Sequence, residues 1–393
     1  MQGLSPDMSA DDISPEARRI HFSSLVFDTH TDTPQRFLFD RFDMGRRDSE
    51  GSVDIPRMHE GGIGAIFFAL WVPVEITGPA ATRRAFDLLH ATGKQVQQHK
   101  DELALVTTCE EIRTVREQNK IAVLLGVEGG HAMDDDLRVL REFSARGVRY
   151  MTLTHIAASN WADSSNESPR HHGLTEFGKQ VVLEMNRLGM IVDISHASDE
   201  TFRDVLEVSR APVIASHSCC RAVCDAPRNL SDVMIKDLAA RGGVIHITFH
   251  SGFLSQEYAD ANKALVAESA RQEREAEQDF GDNVARKLIA GQRFSDEMIR
   301  AGKLPRVTWE KIVEHVDHAV RIVGPDYVGL GSDFDGAFMP DGMEDASDFP
   351  KISEGLLRKG YSNSDIRKIL GENTLRVLAE CERVGHDLRA EKS

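Results

Sequence analysis

The sequence predicts an α/β fold, a (β/α)8 TIM-like barrel with a helical insertion near strand seven. Three observations carry that prediction. Eight short apolar runs alternate with amphipathic segments, the pattern of a parallel sheet wrapped by helices. Most of the runs end at a residue able to hold a metal or move a proton, as expected where strand ends converge on one rim of a barrel. No GxGxxG or GxxxxGK[ST] motif stands at a strand–helix turn, which argues against an open nucleotide-binding sheet. Residues 1–393 read as one domain.

Ser14-Pro15-Glu16 reads as an N-cap with proline in the first helical turn, leading a helix through His21. The first strand covers 25–30 and runs into His30-Thr31-Asp32. Asp54-Ile55-Pro56-Arg57 opens a short helix that stops at Gly61-Gly62. Strand two, 63–71, is a continuous apolar run of the kind buried on both faces. A helix over 82–101, with Phe86, Leu89 and Val96 along one face, precedes strand three, 121–127, which ends at Glu128. A helix over 135–145 leads into strand four, 149–155, ending at His155. The next pair is a helix over 175–188 and strand five, 190–196, ending at His196. A helix over 199–209 precedes strand six, 212–217, ending at His217. Then come a helix over 233–241, strand seven over 243–249, a helix over 308–323 and strand eight over 327–332, followed by Asp333.

One segment breaks this rhythm. Residues 251–306, rich in Glu, Gln, Ala and Arg, are too many for a structureless loop in a compact domain. A helical excursion over or beside the barrel mouth is expected, as a lid, a subunit contact or a solvated hairpin. From Ser362 to Glu382, capping residues and then Ile366, Ile369, Leu370, Leu375 and Leu378 predict a packed outer helix.

Composition narrows the function classes. A formal net charge of −16 has the wrong sign for a nucleic-acid partner, whose phosphates require a basic surface. No apolar stretch approaches the ~20 residues that cross a bilayer, so no membrane insertion is expected. Residues 1–14 lack the basic and apolar regions of a signal peptide. The expected location is cytoplasmic, or periplasmic or secreted if a leader has been removed. Five cysteines make an odd number for a disulfide scaffold, and Cys219, Cys220 and Cys224 read as reduced, partly buried thiols.

A single histidine at a strand terminus is usually structural. Three of them, with His30-x-Asp32, Glu128 and Asp333, at six strand ends point instead to a metal site. Residues i and i+2 of a strand share a face, so His30 and Asp32 can reach one ion. Imidazole mixed with carboxylate suits Zn²⁺ better than Ca²⁺ or Mg²⁺, and a donor count above four points to two Zn²⁺ ions. Two dications ~3.5–4 Å apart need an anionic bridge. No strand end offers a lysine to be carboxylated, whereas Glu128 stands at one, with Gly129-Gly130 letting the backbone crowd close. Glu128 is therefore the expected bridge. His30 and Asp32 serve one ion, His196 and His217 the other, and a metal-bridging hydroxide is the expected nucleophile.

Asp333, in Gly331-Ser332-Asp333-Phe334-Asp335-Gly336, is placed to take a proton from that water and pass it to a leaving amine. Asp335 is expected to cap the following turn. His155 is a candidate donor to the oxyanion of an attacked carbonyl. Arg221 and Arg228 follow strand six on a loop, where arginines are usually solvated. Near a dication site either is a candidate clamp for a substrate carboxylate. His315-x-x-His318 is not a zincin signature, and His131, His171, His172, His246 and His250 read as structural or surface residues.

Taken in order, these motifs resemble the membrane (renal) dipeptidase family, zinc-dependent peptidases among the amidohydrolase-like metal-dependent hydrolases. The residues are Asp28-x-His30-x-Asp32, Glu128-Gly129-Gly130-His131, Leu153-Thr154-His155 with Trp161-Ala162-Asp163, Asp193-Ile194-Ser195-His196, Ser216-His217-Ser218, Arg228-Asn229 and the segment from Gly331 to Gly336. The resemblance runs from about Ser24 to Leu378. It implies a binuclear zinc dipeptidase with His30, Asp32, Glu128, His196 and His217 as ligands. It also implies that His155 and Arg228 bind substrate and that Asp333 handles the proton. Thr31 departs from the Asn that members often carry there, so substrate contact at that point is expected to differ. Residues 388–393 form no hydrophobic tail, so the lipid anchor of animal members is not expected. The expected partner is a dipeptide substrate, and the expected assembly a homodimer. The alternative is a metal-dependent amidase or lactamase acting on another small amide such as an N-acyl amino acid.

Overall fold

The computed structural model describes residues 13–39 and 42–391; the sequence readings for 1–12 and for the last two residues lie outside it. Among the described residues there are nine strands: β1 Val26–Thr31, β2 Ile63–Trp71, β3 Leu103–Leu105, β4 Ile121–Glu128, β5 Val148–Thr152, β6 Ile191–Asp193, β7 Val213–Ser218, β8 Val244–Ile247 and β9 Val328–Leu330. Eight of them follow one another around a parallel sheet, in the order β1-β2-β4-β5-β6-β7-β8-β9. Closure between β9 and β1 comes from Asp333 N donating to His30 O and Asp32 N donating to Phe334 O, each at 2.9 Å. Below them the backbone N–H and hydroxyl of Ser332 both donate to the buried Asp28 carboxylate, at 2.8 and 2.6 Å. The expected barrel is borne out.

The ninth strand is a difference from the sequence reading. β3 pairs with the first half of β4, Leu103 beside Ile121, on the edge that β5 takes up from Leu125 onward. Three residues carry too little apolar signal to stand out. Several strands also stop short of their predicted ends, β5 at Thr152, β6 at Asp193 and β9 at Leu330, so that His155, His196 and Asp333 each lie three residues beyond the last paired position.

Alternation along the strands separates two apolar layers. On β2, Ala65 and Phe67 join the cluster that contains Leu124 and Tyr150, whereas Ile66, Phe68 and Leu70 join the larger cluster against the surrounding helices. On β4, Ala122 and Leu124 share the inner cluster, and the same parity carries Glu128 inward. β1 and β7 break their parity. Asp28 pairs with Ile66 and Thr31 with Phe68, so Thr29 and His30 together oppose Phe67. Ala215 pairs with Ile245 and Ser218 with Ile247, so Ser216 and His217 together oppose His246. Each is a bulge, and each turns an additional side chain toward the barrel axis.

Most predicted helices are present with their caps. Asp54 accepts from Arg57 N at the start of Ile55–Glu60, and Thr175 accepts from Gly178 N before Glu176–Leu188. Three helices were not foreseen: Pro34–Phe39, Cys109–Glu117 and Pro350–Arg358. The second opens on a Thr108/Glu111 capping box, a signal the sequence did carry. The excursion is helical, with Ser251–Leu254, Gln256–Lys263, Val266–Phe280 and Val284–Arg300. It stands over the rim, enclosing with the strand-end loops a cavity of about 500 Å³ lined by Trp71, Ile156, His250, Leu288, Phe294 and Phe338. Arg293 and Arg286 hold it to Glu50, at 2.6 and 3.3 Å. The C-terminal segment packs as expected, burying Ile366, Ile369, Leu370 and Leu378.

Candidate metal centre

All five predicted ligands meet at the carboxyl-terminal end of the barrel. Nε2 of His30 lies 3.6 Å from Asp32 Oδ1 and 3.4 Å from Glu128 Oε2. The other oxygen of Glu128, Oε1, lies 3.0 Å from His196 Nε2 and 3.4 Å from His217 Nε2. Glu128 thus divides its oxygens between two donor sets, His30 with Asp32 and His196 with His217. Within each set, Glu128 included, the donor atoms fall within 4.8 Å of one another. A third grouping within the same limit joins His30 and His217 to Asp333.

These residues fit metal ions. His30 Nε2 and Asp32 Oδ1 are buried without a hydrogen-bond partner, which is costly unless something else satisfies them. His196 and His217 direct their Nε2 atoms at each other across 3.0 Å and both toward Glu128 Oε1, a convergence of donor atoms that suits a cation. The charges are correspondingly displaced. Burial opposes the charge on Glu128, yet the surrounding imidazoles hold its carboxyl well below the usual range. Burial also opposes a charged His30, but the Glu128 and Asp32 carboxylates raise it well above its ordinary value. Burial, reinforced by Glu128, pushes Asp32 up to about 7. His196 and His217 are driven well below their ordinary range, first by burial, and so offer neutral nitrogens.

His155 stands at the edge of this group, Nε2 3.9 Å from Glu128 Oε1. Its Nδ1 accepts from the Trp71 indole N–H at 3.0 Å. An indole only donates, so Nδ1 is unprotonated and the neutral ring carries its proton on Nε2, facing the centre. Burial lowers the His155 imidazole to about 4, which keeps it neutral near pH 7. Asp333 has its Oδ1 3.9 Å from His30 Nε2, and burial raises its carboxyl above the ordinary value. Like His196, it occupies left-handed backbone, with φ of 66° and 67° respectively. Such strain persists where the surroundings hold it, and it collects at functional sites.

The two arginines separate cleanly. Arg221 is bidentate to Asp199, at 2.9 and 2.8 Å, and is a structural tie. Arg228 is buried, donates to His217 O at 2.8 Å and to Ser218 Oγ at 2.9 Å, and leaves Nε unsatisfied. Among the described residues no carboxylate is within ion-pair distance of it. Asp335 does not cap its own turn as expected: its carboxylate accepts from Ser52 N at 2.8 Å and Thr33 Oγ1 at 2.6 Å, tying two other loops to the rim. The three clustered cysteines are free and buried, each with its sulfur directed at a backbone carbonyl. His246 and His315 are buried structural residues with both ring nitrogens engaged.

Sequence reasoning missed the residues behind the ligands. Asp193 accepts from Thr152 Oγ1, Ser195 N and Ser216 N and Oγ, joining β5, β6 and β7. Ser216 Oγ in turn lies 2.8 Å from His217 Nδ1. A serine that gives its only proton to Asp193 must accept from His217, which fixes the Nδ1–H tautomer and frees Nε2. Asp193 and Ser216 lie within the motifs quoted above, but only their place in space shows what they do.

A model of the membrane dipeptidase family, peptidase family M19, matches residues 14–392. The chain belongs to that family. Dipeptidase 3 of Homo sapiens is 34% identical over 393 residues, covering 97% of this chain and 70% of the relative. Dipeptidase verJ of Clonostachys rogersoniana is 34% identical over 352 residues, covering 86% of this chain and 78% of the relative. Among solved structures, the probable dipeptidase PvdM from Pseudomonas aeruginosa gives a TM-score of 0.81 at 26% identity, covering 96% of this chain and 100% of the other. As a membrane dipeptidase family member the chain is a metal-dependent dipeptidase, and the His, Asp and Glu sets at the rim have donor atoms close enough together to hold a metal ion. Despite the family's name, no helix among the described residues is long and apolar enough to cross a membrane.

Proposed function

We propose that the protein is a binuclear zinc dipeptidase, with His30 and Asp32 at one ion, His196 and His217 at the other, and Glu128 shared. The division of the Glu128 oxygens carries this reading: Oε2 faces His30 at 3.4 Å, and Oε1 faces His196 at 3.0 Å and His217 at 3.4 Å. A carboxylate serving a single ion has no reason to lie between two donor sets. When bound, the two dications supply an activated water and polarise the scissile carbonyl.

The chain's own groups then divide the remaining work. His155 offers an Nε2–H to the carbonyl oxygen as negative charge develops there. Asp333, beside His30 and with a raised carboxyl, takes the proton of the attacking water and delivers it to the departing amine nitrogen. Arg228 brings a buried positive charge without a counter-ion, suited to the terminal carboxylate of a dipeptide. The test is zinc stoichiometry alongside dipeptide hydrolysis. Two zinc ions per wild-type chain, and loss of both on Glu128→Gln, are expected. One ion per active chain would reject the binuclear reading.

A further inference from the structure

Tyr150 has no part in the roles assigned so far. Its ring is fully buried on β5, rests against Phe67 with centroids 4.8 Å apart, and brings its hydroxyl to 2.8 Å from His30 Nδ1. Among the described residues that hydroxyl has no other hydrogen-bond partner. The neighbouring strand keeps its path open. Tyr150 pairs with Gly126 of β4, where a Cβ would stand 2.1 Å from the ring. Gly126 does not have a positive φ, so space and not backbone conformation demands glycine there.

A histidine that ligates through one ring nitrogen carries its proton on the other, and that proton needs an acceptor. We infer that Tyr150 is the positioning residue of the His30 half-site. Its hydroxyl oxygen accepts the Nδ1–H of His30, fixing ring and tautomer so that Nε2 faces Asp32 and Glu128. The inference rests on the metal reading above. Its effect is local, because the other half-site is supported differently. His217 is held through Ser216 and Asp193, and His196 Nδ1 is buried without a hydrogen-bond partner among the described residues.

Tyr150→Phe removes one oxygen and keeps the ring. The zinc-loaded wild type and variant are titrated with a chromophoric chelator while released zinc is followed. One of the two ions should leave the variant at a roughly 10- to 100-fold lower chelator concentration, with the other unchanged. In a ¹⁵N spectrum of the histidine-labelled, zinc-loaded wild type, His30 should show a protonated Nδ1, and that signal should shift or vanish in the variant. Wild-type retention of both ions by Tyr150→Phe overturns the inference, as does equal weakening of both, which marks a general loss of packing. A wild type that binds no zinc overturns the metal reading itself. Should the variant fail to fold, the wild-type spectrum decides, since His30 protonated at Nε2 in the zinc-loaded protein rejects the role.

Discussion

Arg228→Met tests which end of a substrate the site holds. The guanidinium is buried, its partners are the neutral His217 carbonyl and Ser218 hydroxyl at 2.8 and 2.9 Å, and Nε has none. Those two bonds leave the remaining N–H groups of the guanidinium for an incoming anion. A carboxylate seated there gains two charge-assisted hydrogen bonds at about 1.5–3 kcal/mol each. The lower figure taken twice is about 3 kcal/mol, or roughly 150-fold in kcat/KM. The assay is steady-state hydrolysis of one dipeptide and of its C-terminal amide by both proteins. The acid should lose roughly 150-fold, chiefly through KM, and the amide no more than about threefold, since it has no charge to lose. Comparing the two ratios isolates the pairwise energy from any general damage. Equal losses for acid and amide would refute the clamp and leave Arg228 as a prop for the His217 carbonyl.

Three further outcomes are expected. Chelation should abolish dipeptide turnover and zinc should restore it. Zinc at about 1,000 times its Kd should also stabilise the fold by about 4 kcal/mol, seen as a higher melting temperature; undiminished turnover by metal-free protein contradicts this. Asp333→Asn should lower kcat by roughly 10²–10⁴ while zinc content, measured by atomic absorption, is unchanged; an unaltered kcat removes Asp333 from proton transfer. Stability should fall on acidification through three buried histidines outside the donor sets: burial lowers His21, His246 and His315 each to about 4. Above their unfolded value of about 6.5 neither state is protonated. Between about 6.5 and 4 only the unfolded chain takes up the protons, which costs on the order of 3 kcal/mol per residue by pH 4. Urea midpoints should therefore drop across that window, and less steeply in His21→Gln; midpoints that rise on acidification contradict the sign.

The barrel and the donor residues that converge at its rim were legible because both are written in local patterns. A buried parallel strand is a continuous apolar run, and an ionisable residue at its end stands out against it. The residues that orient the ligands were hidden for the same reason. Trp71 and Tyr150 lie inside apolar runs, where an aromatic ring reads as core. Their polar atoms matter only because folding brings Trp71 to His155, 84 positions away, and Tyr150 to His30, 120 positions away. Arg221 and Arg228 share one loop and one residue type, and only the position of Asp199 tells them apart. The bulges at Thr29–His30 and Ser216–His217 leave no mark in composition, since an added residue changes register without changing chemistry.

Those irregularities explain how eight strands with ordinary alternation assemble two donor sets. Regular pleating delivers one inward side chain at each strand end, and Glu128 is delivered that way, on a strand paired to β2 without a register shift from Ala122 to Glu128. The donor residues on either side of it come from broken geometry: His30 and His217 from bulges, His196 from left-handed backbone beyond its strand, with Asp333 placed the same way. The carboxylate that faces both sets stands on a strand whose ladder with β2 runs to Glu128 without a shift. His30, His217, His196 and Asp333 are each placed by a local distortion. The buried carboxylates Asp28 and Asp193 sit directly behind those distortions, accepting from Ser332 and Ser216 on the neighbouring strands. Strain at the rim is thus held by charge-assisted hydrogen bonds one layer below it, which keeps the donor sets in place before any ion arrives.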